Sequence, residues 1–151
     1  MSIDARLRDL NITLPGAPAP AANYVPYVQT GNLLFVSGQI SSGPDGLIKG
    51  RLGADMDVTQ GAAAARACGL ALLAQANAAL GSLDRVARVV KLTGFVASTP
   101  DFTDQPEVVN GCSDLMVEVF GDKGRHARAA VSAAALPRGV AVEIEAIFEI
   151  A

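Results

Sequence analysis

The sequence predicts an α+β fold, a two-layer mixed β-sheet with two helices on one face in the order β-β-α-β-α-β-β. Three observations predict it. An alanine-rich run over 60 to 80 repeats Ala67, Leu70, Ala71 and Ala74 at helical spacing. Two β-branched runs, Val86 to Ala97 and Ala141 to Ile150, alternate at strand spacing. The chain is 151 residues long, 50% hydrophobic and 18% charged, which suits one domain able to bury a core without staples.

Taken in order, Ser2 can cap a helical turn or two through Leu10, after which Pro15, Pro18 and Pro20 make residues 1–23 an extended arm. The domain proper is expected over 24–151. Tyr24 to Gln29 and Leu33 to Ser37 read as strands joined by the turn residues Thr30, Gly31 and Asn32. Residues 41 to 55 hold four glycines and a proline, which is loop chemistry with a brief strand at Leu47 to Lys49. Thr59 is the expected N-cap of the first long helix and Gly81 its stop. The strand Val86 to Ala97 follows. Asp101, Thr103 and Pro106 open a second helix, whose buried stripe is Val109, Cys112, Leu115, Met116 and Val119 and whose stop is Gly121. Strands over 127–135 and 141–150 flank Leu136-Pro137-Arg138-Gly139. In the last one Val142, Ile144, Ala146, Phe148 and Ile150 face the helices, so the other face is expected to be polar.

Composition narrows the function. With 12 basic and 15 acidic side chains the net charge is -3, and 5% aromatics without tryptophan leave neither a field for phosphates nor stacking platforms. Nucleic acid is therefore not an expected partner. No apolar run of spanning length is expected, and MSIDARLRDLN has no signal-peptide core, so no membrane partner and a cytoplasmic location are expected. One histidine, His126, cannot build a multi-histidine metal site, and Cys68 and Cys112 read as small core hydrophobes. No metal and no cofactor are indicated. Neither a phosphate-cradling glycine loop nor a GxSxG elbow is present.

What remains is an arginine and several carboxylates in a recognisable order. Pro26-Tyr27-Val28-Gln29 is followed by Gly31-Asn32, Ser37-Gly38-Gln39, Asp45-Gly46 and Phe102 to Asn110. The most specific stretch runs from Ala127-Arg128 through Leu136-Pro137 to Val142-Glu143-Ile144-Glu145-Ala146. On these residues the chain from 25 to 151 resembles the Rid family, the YjgF-type reactive intermediate deaminases formerly called endoribonuclease L-PSP. The resemblance implies a chorismate-mutase-like fold, a homotrimer with clefts between subunits, and cofactor-free hydrolysis of 2-imino acids to 2-oxo acids and ammonia. It implies Arg128 as carboxylate anchor, Glu143 as the group that positions or activates water, and Tyr27, Ser37, Gly38 and Ala130 as substrate-binding positions. The chemistry of the residues agrees. A guanidinium fork grips a carboxylate bidentately, and a glutamate can accept a proton from attacking water. Two departures stand out: many family members have a cysteine where this chain has Ala130, and the stretch from Tyr27 to Ser37 is shorter than in the best-known deaminases. A non-catalytic binder or sensor of small carboxylates is the alternative reading.

Strand geometry adds one expectation. Arg128 opens a strand that runs to about Ala135, the chain reverses at Pro137 and Gly139, and Glu143 lies early on the returning antiparallel strand, so about six residues at ~3.3 Å put roughly 20 Å between the two within one chain. A small ligand held by both then requires two subunits.

Overall fold

The computed structural model describes residues 2–19 and 23–151. Helix α1 (Ile3–Asp9) begins where the Ser2 hydroxyl accepts the Ala5 N–H. Its Leu7 is buried, and Ile3, Leu10, Ile12 and Leu14 pack against the core, so this part of the arm lies along the domain. Strands β1 (Tyr27–Thr30) and β2 (Leu33–Ile40) form a hairpin in which Thr30 pairs with Leu33 across Gly31 and Asn32. β1 starts after Pro26, later than expected, because proline has no N–H to give the ladder. β2 runs on past Ser37 through an irregularity between Val36 and Gln39. A two-residue ladder, β3 (Ser42–Gly43) with β4 (Gly46–Leu47), fills the glycine-rich loop.

Helix α2 (Val58–Leu80) starts at Asp57, not at the expected Thr59. The Asp57 carboxylate accepts the Gln60 N–H at 2.8 Å while the Gln60 side chain accepts the Asp57 N–H at 2.9 Å, and this reciprocal pair sets the first turn. Gly81 ends the helix in the left-handed region. Strand β5 (Val86–Ala97) leads to α3 (Gln105–Phe120), whose N-cap position is Asp104 with proline in the first turn. β6 (Ala127–Ala133) and β7 (Val142–Ile150) complete the chain, separated by a tight turn at Pro137–Gly139.

The element order is the predicted one, but the strand order corrects an assumption behind the expected separation of Arg128 and Glu143. The sheet runs β1-β2-β7-β5-β6, with β6 parallel to β5 and β7 antiparallel to it. β6 and β7 are therefore not neighbours. A parallel pair needs a crossover, here α3, and that crossover delivers β6 to the sheet's edge while β7 enters its middle.

Both long helices cover one face. The core lies there, with Leu34, Phe148, Ile144 and Leu92 from the sheet meeting Leu72, Leu115 and Met116 from the helices. Cys68 and Cys112 are buried in it. The helices cross closely because small residues face each other; a Cβ on Gly111 would strike the Ala62 carbonyl. α2 is 23 residues long with a mean hydropathy of 1.2 over its most apolar window, so, against expectation, one helix is long and apolar enough to cross a membrane. That window is 56% buried inside the protein, as a core helix is. The opposite face also departs from expectation. Glu143, Glu145 and Glu149 do point outward from β7, but their neighbours Phe35, Val28 and Val131 are 40%, 52% and 44% exposed. The outer face is thus largely apolar with acidic residues on it, because β1, β2, β5 and β6 place Val28, Phe35, Phe95 and Val131 at outward positions.

Candidate functional site

Two polar centres lie apart on the sheet, one on the central strand β7 facing β2 and one on the edge strand β6. At the β2 edge, Glu143 stands on the outer face of β7, in register with Ile40 on one side and Phe95 on the other. Its carboxylate lies against the backbone of Gly38, where any Cβ would collide with it, so glycine is what lets the side chain fold over β2. Burial pushes the Glu143 carboxyl above the usual glutamate range, and the Glu145 charge adds to the shift.

Glu143, Ser37 and Gly38 open into a cleft of about 1030 Å³. β1 stops pairing with β2 at Tyr27–Val36, so beyond that point the β2 edge has no strand beside it. The arm and the β3–β4 turn wall the space instead, together with Ala67 and Leu70 of α2 and the exposed Arg138. Arg138 has φ +59°, a left-handed conformation uncommon for a residue with a side chain. Gln75, 1% exposed, donates to the Pro18 carbonyl at 2.8 Å and to Gln39 Oε1 at 3.5 Å, fastening the arm to α2 and β2. The Ser37 hydroxyl donates to the Val25 carbonyl at 2.7 Å, which leaves its oxygen lone pairs as acceptors.

At the β6 edge, Arg128 is in register with Leu92, whose side chain is in the core, so the guanidinium rises on the helix side. Its Nη1 donates to Asn110 Oδ1 at 2.7 Å and to Ser113 Oγ at 3.2 Å. Asn110 and Ser113 are three residues apart on α3 and therefore share a face. His126 extends the chain. Its Nδ1 lies 2.6 Å from the Gly124 carbonyl, which can only accept, so the neutral ring carries its proton there. Nε2, 2.9 Å from Ser113 Oγ, is then the acceptor of the Ser113 hydroxyl. Burial lowers the His126 pKa, the Gly124 bond opposes this, and the Arg128 charge lowers it further. Ala130, in register with Gly94, packs partly against the core on the same side.

Within one chain these centres are separate. Arg128 is level with Leu92 and hence with Ala146, three residues along β7 from Glu143 and two strands away. At ~3.3 Å per residue and ~4.8 Å per strand the Cα atoms are roughly 14 Å apart, less than the expected 20 Å. They also face opposite sides of the sheet, a separation that the assumed hairpin did not reveal. Tyr27 lies level with Val36 on the helix side, half-buried against the core, and Tyr24 lines the cleft in its place. Sequence reasoning missed Ser113, Arg138 and the arm's part in the cleft, and gave Asn110 no role. The three-residue spacing of Asn110 and Ser113 was the available signal for the β6 centre; nothing local signalled the cleft. Among the described residues, no group of three or more His, Cys, Asp or Glu side chains is gathered to hold a metal ion.

The family model for endoribonuclease L-PSP matches residues 15–150. Protein TCP17 of Trypanosoma cruzi is 55% identical over 98% of this chain and 94% of its own length. Among solved structures, Atu1372 of Agrobacterium tumefaciens, of unknown function, is 49% identical with a TM-score of 0.91, covering 99% of this chain and 92% of its own. The YjgF gene product of E. coli is 32% identical with a TM-score of 0.62, covering 89% of this chain and 94% of its own.

Proposed function

The chain belongs to the endoribonuclease L-PSP family, to which YjgF-type proteins are similar in sequence and fold, and from that premise we propose that it hydrolyses 2-imino acids to 2-oxo acids and ammonia. The observation that carries this reading is the half-buried Glu143 carboxylate at the mouth of the cleft, its pKa raised toward the range where a general base is most useful. The substrate reacts as its N-protonated imine: Glu143 accepts one proton from water as the water oxygen bonds to the imine carbon and the C=N π pair passes to nitrogen, giving a neutral amino alcohol. Glu143 returns that proton to the amino nitrogen, and as the C–N bond breaks the hydroxyl oxygen forms C=O and gives its proton to Glu143, which passes it to the departing ammonia. Arg128 holds the substrate carboxylate with Nε and Nη2, its Nη1 being engaged by α3.

Because the two residues face opposite sides of one sheet, the working site combines Glu143 of one copy with Arg128 of the next. A homotrimer built on the apolar outer face provides this arrangement and removes Phe35, Val28 and Val131 from water. RNA hydrolysis is the weaker reading for a chain of net charge -3 with one histidine. Binding without turnover is the second reading, and alanine at position 130 favours it, since that position offers no thiol. An amino acid oxidase generating the imine, with semicarbazide trapping it, separates the two. Faster 2-oxo acid release with the protein present is expected. No acceleration alongside measurable 2-oxo acid binding would establish the binder instead.

A further inference from the structure

The cleft is far larger than the chemistry at Glu143 requires. Its volume of about 1030 Å³ is at the upper end of the ~300–1,000 Å³ that holds a drug-sized ligand, whereas an imine of alanine is a few heavy atoms. The lining runs from Glu143 round the open edge of β2 to the arm. Its walls there are Leu14 and Pro15 of the arm, Leu47 of the β3–β4 turn, and Ala67 and Leu70 of α2. These are apolar. The arm is held over the space by a designed-looking contact, since Gln75 is almost fully buried and spends its amide on the Pro18 carbonyl and on Gln39. A buried amide is costly unless bonded, so the latch and the arm's course depend on each other. The cavity is continuous from Ser37, Gly38 and Glu143 to the arm.

We propose that this arm-walled half of the cleft is a side-chain subsite, and that the substrates are 2-imino acids bearing an apolar side chain at least as large as a phenyl ring. The inference rests on the deaminase reading for the position of the reacting carbon. The imine carbon lies at Glu143, the carboxylate points out toward the neighbouring copy, and the side chain runs past Gly38 and round the β2 edge to Leu14 and Leu70. Ala67 determines how much room remains, because it is half-buried on the α2 wall with no side chain beyond Cβ to fill the space.

Two measurements on the full chain test the idea. Imines of phenylalanine and of alanine, generated by an amino acid oxidase, are compared by kcat/KM, and phenylpyruvate and pyruvate are compared by calorimetry. Apolar contacts in a fitted pocket discriminate by about tenfold or more, so at least that preference for the phenyl compounds is expected in both assays. Ala67→Phe, with a melting curve to establish folding, should erase the preference by occupying the subsite. Leu14→Asp should erase it from the arm side without enlarging any core residue. Equal kcat/KM for the two imines, or equal affinity for the two 2-oxo acids, overturns the subsite and leaves the deaminase reading intact. If neither imine is turned over, the deaminase reading fails, and calorimetry then decides the subsite by itself: a phenylpyruvate preference lost in Ala67→Phe supports it, and its absence overturns it.

Discussion

At the β6 edge a guanidinium is held on the helix side by Asn110 and Ser113, with His126 behind Ser113, in a cluster where direct bonds orient each group. At the β2 edge a carboxylate lies on the other face against a bare glycine, half-buried, beside a large and mostly apolar space. The two edges are built by opposite means. Arg128 is oriented by hydrogen bonds, which fix a fork without neutralising it, whereas Glu143 is tuned by desolvation, which raises its proton affinity without orienting it. A cation that binds needs direction, and a base that reacts needs a suitable pKa.

The largest effect should come from the β2 edge. Glu143→Gln removes the base and is expected to lower turnover by ~10²–10⁴ in the coupled oxidase assay. Its pH dependence sharpens the point. The base works ionised, so activity is lost as pH falls through a pKa raised above the ordinary glutamate value. The stability sign is opposite. A raised folded-state pKa favours the native state below the unfolded-state value, and that gain is lost as pH rises through the raised one. Glu143→Gln should therefore melt progressively higher than the wild type as pH rises across that window. Unchanged turnover would remove the β2 edge from the chemistry.

Combining the edges comes next. On the proposed two-copy site, Arg128→Ala and Glu143→Ala proteins should each be inactive, and exchanging their subunits should restore a fraction of wild-type activity, because mixed rings would contain interfaces carrying both intact residues. No rescue after exchange proven by mass spectrometry, or an active monomer in sedimentation, would break the two-copy site.

The β6 edge should respond less steeply. Arg128→Lys keeps the charge but loses the fork, and since charge-assisted hydrogen bonds contribute about 1.5–3 kcal/mol, 2-oxo acid affinity should fall tenfold or more by calorimetry. Wild-type affinity in that variant would show that a point charge suffices. His126→Gln should give the smallest effect. The His126 pKa is lowered by the fold, so its contribution to stability is present above the ordinary imidazole value and is lost as pH falls through the lowered one. Melting temperature should decline toward acid less in the variant than in the wild type. Equal slopes would mean that His126 stays charged or fully solvated.

Much of this was readable in the chain. The helices, the strands and most of the faces they bury follow from periods of 3.6 and 2, which are properties of the local backbone, so the bounds of the Val86–Ala97 strand and the inward row Val142, Ile144, Ala146, Phe148 and Ile150 match the structure, while irregularities in β5 bury Val89 in place of Val90. Which cap starts a helix was less secure, because Asp57 and Thr59 both suit the position and only the partner side chain of Gln60 selects between them. The family resemblance was likewise legible in the Arg128 to Ala146 stretch. Strand order was not, since it depends on where a crossover helix finds room to pack, and β5 entered between β6 and β7 for that reason. The same long-range packing decided that Arg128 and Glu143 face opposite sides, that the outward positions of β2, β5 and β6 sum to an apolar surface, and that the arm closes a cleft over a strand edge left unpaired. Period is local and survives in any short segment; adjacency, burial and a shifted pKa exist only once distant segments exclude water from one another.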